Sequence, residues 1–458
     1  MSAGRRVVVI GGGLAGIAAA LDCAAAGASV TLVEVRRRLG GAAYSFEREG
    51  LRMDNGQHVF LRCCEAYRAL LRRLGSEHLV RIQRRLEIPV LKPGAQPAVL
   101  RRGSLPAPLH LAGALARYSH LRPSERLRAG RAALALMRLE RSRGGRRELR
   151  LDRQTLGEWL ARHGQGARAT AALWDLIALP ALNLPAAQAS LALGAFVFRT
   201  GLLSSADAGD VGFHAATLSE IIGDPAERAL REAGVEVRLG WRAERLQQSG
   251  DGVEVHAREE RLSAEATILA VPHARASRLL EWLPGGVSGR LRALGSSPIV
   301  NLHVVYDRPV CAEPFAAGVD TPVQYLFDRT AASGAPAGCQ YLAVSLSGAE
   351  REMTMSVDAL RERYLPALKE LLPRARAAKV ESFLVTREHA ATFRAVPGVA
   401  ALRPGPRTSL PGLMLAGAWT DTGWPATLEG AVLSGHAAAR QALGALGIQA
   451  HAAVGGMA

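Results

Sequence analysis

Val7-Val8-Val9-Ile10-Gly11-Gly12-Gly13-Leu14-Ala15-Gly16 decides the fold. Four β-branched apolar residues in a row are the pattern of a buried strand, and they stop at a run of glycines. Ile17 to Ala26 is alanine-rich and helix-prone until Gly27 ends it. Ala28-Ser29-Val30-Thr31-Leu32-Val33 then reads as a second buried strand, finishing at Glu34. Strand, glycine turn, helix and strand make a β-α-β unit, the signature of a Rossmann-like α/β sheet.

Gly11-x-Gly13-x-x-Gly16 has a task at each position. The first glycine permits the tight turn, the second lets backbone N–H groups approach a pyrophosphate, and the third lets helix pack closely on strand. The phosphates then lie at the positive end of a helix dipole. Glu34 stands where a carboxylate accepts both ribose hydroxyls. Its charge disfavours a 2′-phosphate, so NADP is not expected here, although Arg36, Arg37 and Arg38 follow closely. The next residues favour FAD over NAD. Leu39-Gly40-Gly41-Ala42-Ala43 places a second glycine pair where the pyrophosphate and ribitol of an extended cofactor would pass. Far downstream, Leu415-Ala416-Gly417-Ala418-Trp419-Thr420-Asp421 and Pro425-Ala426-Thr427-Leu428-Glu429-Gly430-Ala431 repeat the strand–turn–helix logic. That second turn offers helix N-terminal N–H groups to an anionic flavin edge.

At 458 residues the chain exceeds one hydrophobic core, and 48% hydrophobic with 21% charged residues excludes a disordered or collagen-like chain. Two discontinuous domains are expected: an FAD-binding domain from 1–85, 230–285 and 408–447, and a substrate and membrane-facing domain from 86–229 and 286–407, with a tail at 448–458. The stretch 66–230 reads as mostly helical. The net charge of +16 invites anionic partners, but Lys92, Lys369 and Lys379 are the only lysines, and arginine excess follows from codon bias as readily as from function. No aromatic-basic or zinc-finger pattern appears, so no nucleic acid is expected. Five cysteines without CxxC spacing predict reduced cytosolic thiols and no metal site. The longest apolar stretch, Ala169 to Phe198, is broken by Asp175, Pro180, Asn183, Pro185 and Gln188, so no membrane span is expected.

Together these segments resemble the FAD-dependent amine oxidase and phytoene desaturase superfamily, with the likeness spread over both chain ends. Within it, Asp54-Asn55-Gly56-Gln57-His58, the Pro425–Ala431 turn and the Ser205–Pro225 segment are most similar to the hydroxysqualene dehydroxylase branch, also called squalene-associated FAD-dependent desaturases. The resemblance implies an FAD-binding domain of the glutathione reductase type with an inserted α+β substrate domain, as in amine oxidases. It implies that Gly11 to Gly16 hold the pyrophosphate, Glu34 and Arg36 the adenosine ribose side, and Gly40, Gly41 and Ala42 the ribitol path. Gln57 is a further cofactor contact, Val237 meets adenine through its backbone, and Gly417, Thr427, Leu428 and Glu429 close over the flavin end. Two departures predict weaker FAD retention. Ala42 stands where the family often has arginine, and Ala418 where it often has an acid, with Asp421 as a substitute. Asn301 stands where amine oxidases carry a lysine, which argues against amine oxidation. Trp419 and Trp424 read either as an aromatic cage or as flavin packing.

The branch implies replacement of an allylic C–OH by C–H on a C30 isoprenoid, with reduced FAD as hydride source. Such chemistry needs an apolar tunnel and one proton donor. Leu173 to Phe198, with Trp174, Phe196 and Phe198, reads as tunnel lining or as ordinary helix core. His58 is the candidate donor, titrating near neutrality. Asp54 reads as a backbone cap, and Asp207 and Asp210 are further candidate acids. A lipid substrate implies a cytoplasmic enzyme working at the inner membrane face, where Arg117–Arg153 would meet anionic headgroups. Its electron donor is NADPH or a separate reductase. The alternatives are a carotenoid-type desaturase and a non-catalytic flavin-bearing lipid carrier.

Overall fold

A computed structural model describes residues 5–139, 146–250 and 252–449. Part of the expected tail and of the Arg117–Arg153 stretch lies outside these residues. The apolar run at the N-terminus forms the strand Arg6–Ile10, the centre of a five-stranded parallel sheet. Its order is Glu236–Leu239, Ser29–Glu34, Arg6–Ile10, Ala266–Leu269, Leu413–Leu415. Both faces are covered, which is why these strands read as unbroken apolar runs. Val7 and Val9 pack with Ile17 and Leu21 of the helix Leu14–Ala25 and with Val432 and Ala439 of the helix Leu428–Ala445. Val8 and Ile10 face the other way, onto Leu246, Val253 and Val255 of an antiparallel meander. The two helices pack so closely that a Cβ at Gly435 would lie 2.2 Å from the Ala15 carbonyl oxygen.

The second sheet has seven strands, ordered Val380–Thr392, Ser297–Tyr306, Gln340–Ser347, Tyr325–Asp328, Phe315–Gly318, Glu87–Leu91, Ala98–Arg101. Period-two alternation divides its faces. Val300, Leu302 and Val304 bury against Leu360, Tyr364 and Leu368 of the helix Val357–Leu371. Asn301 and His303 point the opposite way; Val305 on that face packs against Leu51 and Met53 of the hairpin Ser45–Asp54. This polar face meets that hairpin and the Asn55 carbonyl that follows it.

The expected helical stretch 66–230 also contains strands. Glu87–Leu91 and Ala98–Arg101 extend the large sheet, while Val80–Ile82 and Val211–His214 form a small sheet with Phe60–Leu61. Pro89 speaks against a strand by propensity, yet the parallel pairing with Phe315–Gly318 begins only at Val90. The apolar helices fill space in the core: Trp174 packs edge-on against Phe198 at 5.0 Å and donates Nε1–H to Gln165 Oε1. These two side chains are interior packing, whereas Phe196 reaches out to Trp424. Among the described residues no helix is long and apolar enough to cross a membrane.

Candidate active site

The glycine turn and the second glycine pair lie side by side. Gly40 N–H donates to the Gly12 carbonyl at 2.9 Å, and Gly13 and Gly40 form a parallel bridge. Gly41 has a φ of +61°, and a Cβ there would approach Gly13 Cα to 2.7 Å, so only glycine fits. No side chain caps the helix at Gly13, which leaves the N-terminal N–H groups of Leu14, Ala15 and Gly16 to an anion. Glu34 is buried, accepting Gly12 N–H at 2.7 Å and Arg36 N–H at 2.8 Å. Its carboxylate therefore shapes the turn. Val237 pairs with Leu32 on the neighbouring strand.

The far end of the site is the turn after Leu413–Leu415. Gly417, at a φ of +136°, donates its N–H to Ser434 Oγ. Thr427 Oγ1 caps the last helix by accepting Gly430 N–H, while the N–H groups of Leu428 and Glu429 have no partner among the described residues. The Glu429 carboxylate does not join them. It accepts the N–H groups of Ala66 and Tyr67, so only its backbone faces the turn. Trp419 is buried and donates Nε1–H to the Val271 carbonyl, which removes it from any aromatic cage. Asp421 is exposed and accepts Gly423 N–H, so it does not supply the acid missing at Ala418; a side chain three residues on closes its own turn instead.

Between the two ends the chain assembles a polar cluster around Gly56. Asn301 lies so close that a Cβ at Gly56 would come within 3.4 Å of its Nδ2 and 3.7 Å of His58 Nε2. Asn55 is held from several sides: Tyr44 N–H donates to its Oδ1, and its Nδ2 donates to the Ala42 carbonyl and to Glu388 Oε1 at 2.8 Å. Tyr44 OH also donates to Glu388, and the Arg38 guanidinium stacks 3.6 Å over the Tyr44 ring. Neither ring nitrogen of His58 makes a hydrogen bond to the described residues. Burial pushes its imidazole below the ordinary 6.5, against the pull of Asp54 and Glu388, so it rests neutral rather than titrating near neutrality.

Three buried polar atoms in these segments have no partner among the described residues: Arg38 Nη2, Gln57 Nε2 and Asn301 Oδ1. Such atoms are rare in folded proteins and cost about 1–3 kcal/mol each when left unmet. With the glycine cradle at one end and free helix N–H groups at the other, the two donors among them, Arg38 Nη2 and Gln57 Nε2, fit an extended, polar, anionic cofactor. Residues 14–443 match the model of the flavin containing amine oxidoreductases. The chain belongs to this family.

Among its relatives are the hydroxysqualene dehydroxylases of Rhodopseudomonas palustris, 30% identical over 96% of this chain and 99% of that one, and of Sinorhizobium fredii, 29% identical over 96% and 98%. The zeta-carotene desaturase of Arabidopsis thaliana is 23% identical over 94% and 84%. Cyclohexylamine oxidase from Brevibacterium oxydans shares the fold, with a TM-score of 0.73 at 19% identity over 96% of this chain and 99% of that one. The chain is thus an FAD-dependent oxidoreductase of amine oxidase-like fold. Where the resemblance leads to an arginine at position 42 the chain has alanine, but Arg38 brings a guanidinium to the Gly41 carbonyl at 3.2 Å. That residue was visible only as one of three adjacent arginines. Tyr44 and Glu388 carry no sequence signal, and Asn55 stands out only as part of the Asp54–His58 motif.

The other candidate acids are committed elsewhere in the fold. Asp54 accepts Ser45 OH and Leu218 N–H on one oxygen and pairs with Arg329 at 2.8 Å on the other. Asp210, fully buried, is clamped by Arg62 and Arg102 and accepts Leu86 N–H. Asp207 lies at the surface, bonded to Ser205 OH. None of these three is a proton donor to the site.

Proposed function

We propose that the chain removes the allylic hydroxyl of hydroxysqualene and replaces it with hydrogen, giving squalene and water. The observation that carries this reading is the end-to-end likeness to three hydroxysqualene dehydroxylases, 26–30% identical over at least 95% of the chain. Asn301 supports it, because a neutral amide replaces the lysine expected of an amine oxidase. FAD, when bound and reduced, supplies the hydride. Gly11 to Gly16, Glu34 and Arg38 hold its nucleotide side, and the Gly417 turn with the Leu428 and Glu429 N–H groups receives its ring end.

In this reading His58 delivers the proton that lets the hydroxyl leave as water. Its nitrogens make no hydrogen bond to the described residues, and because burial favours the neutral imidazole despite the charges of Asp54 and Glu388, the proton it delivers is one taken up for each turnover. The helix Pro123–Met137, continued by Arg138, exposes Leu127, Arg131, Leu134 and Arg138 along one side, a stripe suited to an anionic lipid surface from which a C30 substrate is drawn. Reducing equivalents come from NADPH or a partner reductase; rapid bleaching by NADPH alone would remove the need for the partner.

The test is anaerobic incubation of the FAD-loaded, chemically reduced protein with hydroxysqualene, followed by product mass. Squalene forming in proportion to reoxidised flavin is expected. Unchanged hydroxysqualene together with phytoene-like polyenes exchanging electrons with the flavin would put a carotenoid-type desaturase in its place.

A further inference from the structure

Asn301 lies on the strand next to one edge of the large sheet, between Thr386 and Ser345 on the flanking strands, and is fully buried. Its amide can be oriented without ambiguity. Nδ2 donates to the Asn55 carbonyl at 3.0 Å, an acceptor that only the NH₂ end can satisfy. Oδ1 is therefore the free end, and it meets no donor among the described residues. The orientation is fixed from behind as well. The Asn55 carbonyl takes a second hydrogen bond from Thr386 Oγ1 at 3.1 Å, and His303 Nε2 lies 3.0 Å from that hydroxyl. Asn55 itself is bound to Tyr44, Ala42 and Glu388, so the carbonyl that holds Asn301 cannot swing away. Beside the free acceptor are Gly56, which leaves room where a side chain would stand, and His58, whose nitrogens also have no partner among the described residues.

We propose that Asn301 Oδ1 accepts the hydroxyl hydrogen of the substrate, making Asn301 the residue that selects an allylic alcohol over the corresponding hydrocarbon. The inference rests on the dehydroxylase reading and assigns it a specificity residue. The reasoning is one of pairing. A rigid, desolvated acceptor is satisfied by an O–H donor and left orphaned by a polyene, so the site discriminates by the presence of one hydroxyl. Accepting that hydrogen also turns the oxygen lone pairs outward, toward the proton that must arrive before the C–O bond breaks. When it breaks, the bonding pair leaves with oxygen as water, and the carbon takes hydride from the reduced flavin of the proposed reaction.

The experiment measures binding of hydroxysqualene and of squalene, each in detergent micelles, to the oxidised FAD-loaded protein by fluorescence quenching; without hydride no turnover intervenes. The wild type is expected to bind the alcohol at least about 10-fold more tightly than squalene. Asn301→Leu, which keeps the branching at Cγ but lacks the acceptor, should bring the two affinities together by weakening the alcohol alone, with FAD content unchanged. Thr386→Val removes the parallel hydrogen bond to Asn55 and should keep the preference, which separates a role for Oδ1 from a loosened loop. The proposal is overturned by an Asn301→Leu protein that still prefers the alcohol, that loses FAD, or that loses squalene equally, and by a Thr386→Val protein that levels the affinities as far. A wild type that neither prefers hydroxysqualene nor converts it when reduced would instead remove the dehydroxylase reading, and the inference with it.

Discussion

Glu429, in the first turn of the C-terminal helix, accepts the backbone N–H of Tyr67 at 2.7 Å and of Ala66 at 3.0 Å. One carboxylate thus caps the helix Glu65–Arg73 while belonging to the turn that receives the flavin end. Glu429→Ala leaves two N–H groups without their acceptor and a hole in the core. A loss of about 1–3 kcal/mol is expected. Because the cap ties the flavin-end turn to the N-terminal half, FAD should also dissociate at a lower denaturant concentration than the fold itself is lost. Parallel flavin-fluorescence and circular-dichroism titrations of the variant would show the two transitions separating; coincident transitions would contradict the coupling.

A second pair of variants addresses the cofactor's phosphate side. Gly41→Ala forces a Cβ against Gly13 Cα at a backbone conformation that suits glycine, and so pries the second glycine pair away from the first. Arg38→Met keeps the stacking bulk over Tyr44 and removes the guanidinium whose Nη2 lacks a partner. Both proteins should fold, and both should be purified with less FAD than wild type, Gly41→Ala most severely. The ratio of flavin to protein absorbance reports this directly. An Arg38→Met protein with full FAD content would mean that Ala42 leaves a contact that nothing replaces.

The β-α-β unit is legible in the sequence because each of its physical demands falls on neighbouring residues: Val7 to Ile10 must be apolar on both faces, and Gly11, Gly13 and Gly16 must lack a Cβ within one turn. The polar cluster is not legible in the same way. Tyr44 and Glu388 meet across 344 positions and Asn55 and Glu388 across 333, so no periodicity or spacing links them. Asn301 is visible as a departure from lysine, but its free Oδ1 follows from the Asn55 carbonyl, which only the fold brings there. Asp207, Asp210 and Asp421 show the converse error. Their residue type suits acid chemistry, and their hydrogen bonds commit them to structure. The strands at Glu87–Leu91 and Ala98–Arg101 escape because Pro89 and flanking arginines mask a short alternation that is stabilised by the sheet they join.

Two buried imidazoles make stability depend on pH. Burial holds His214 down to about 3 and His303 to about 4, both far below the unfolded value near 6.5. The unfolded chain therefore binds protons between these values that the folded chain does not. The sign follows: stability is whole above about pH 6.5 and falls as pH drops toward 4, by about 2 kcal/mol per imidazole between pH 6.5 and 5. Urea melts at pH 7.5 and 5 would measure it. His303→Gln should lower stability at pH 7.5, where its bonds to Tyr341 OH and Thr386 are weakened, yet flatten the slope toward pH 5. A slope unchanged in the variant would show that other groups carry the dependence.

Asp210 gives the sharpest separation of structure from chemistry. It is fully buried, and its two oxygens receive Arg62 Nε and Nη2, Arg102 Nε and Nη2, and the Leu86 N–H, all between 2.7 and 3.1 Å. Removing the acid leaves two guanidiniums facing one another with only the surface carboxylate of Asp207, 3.8 Å from Arg62, as counter-charge. Breaking such a pair costs about 3–5 kcal/mol, well beyond what a surface ion pair contributes. Asp210→Asn keeps the shape but places an NH₂ donor among donors, so it should be nearly as damaging as Asp210→Ala. Both should shift the unfolding midpoint strongly, while whatever fraction stays folded retains FAD and the wild-type rate per bound flavin. A folded, FAD-loaded Asp210→Asn protein with a selectively lowered rate would place Asp210 in the reaction after all, which its five donors argue against.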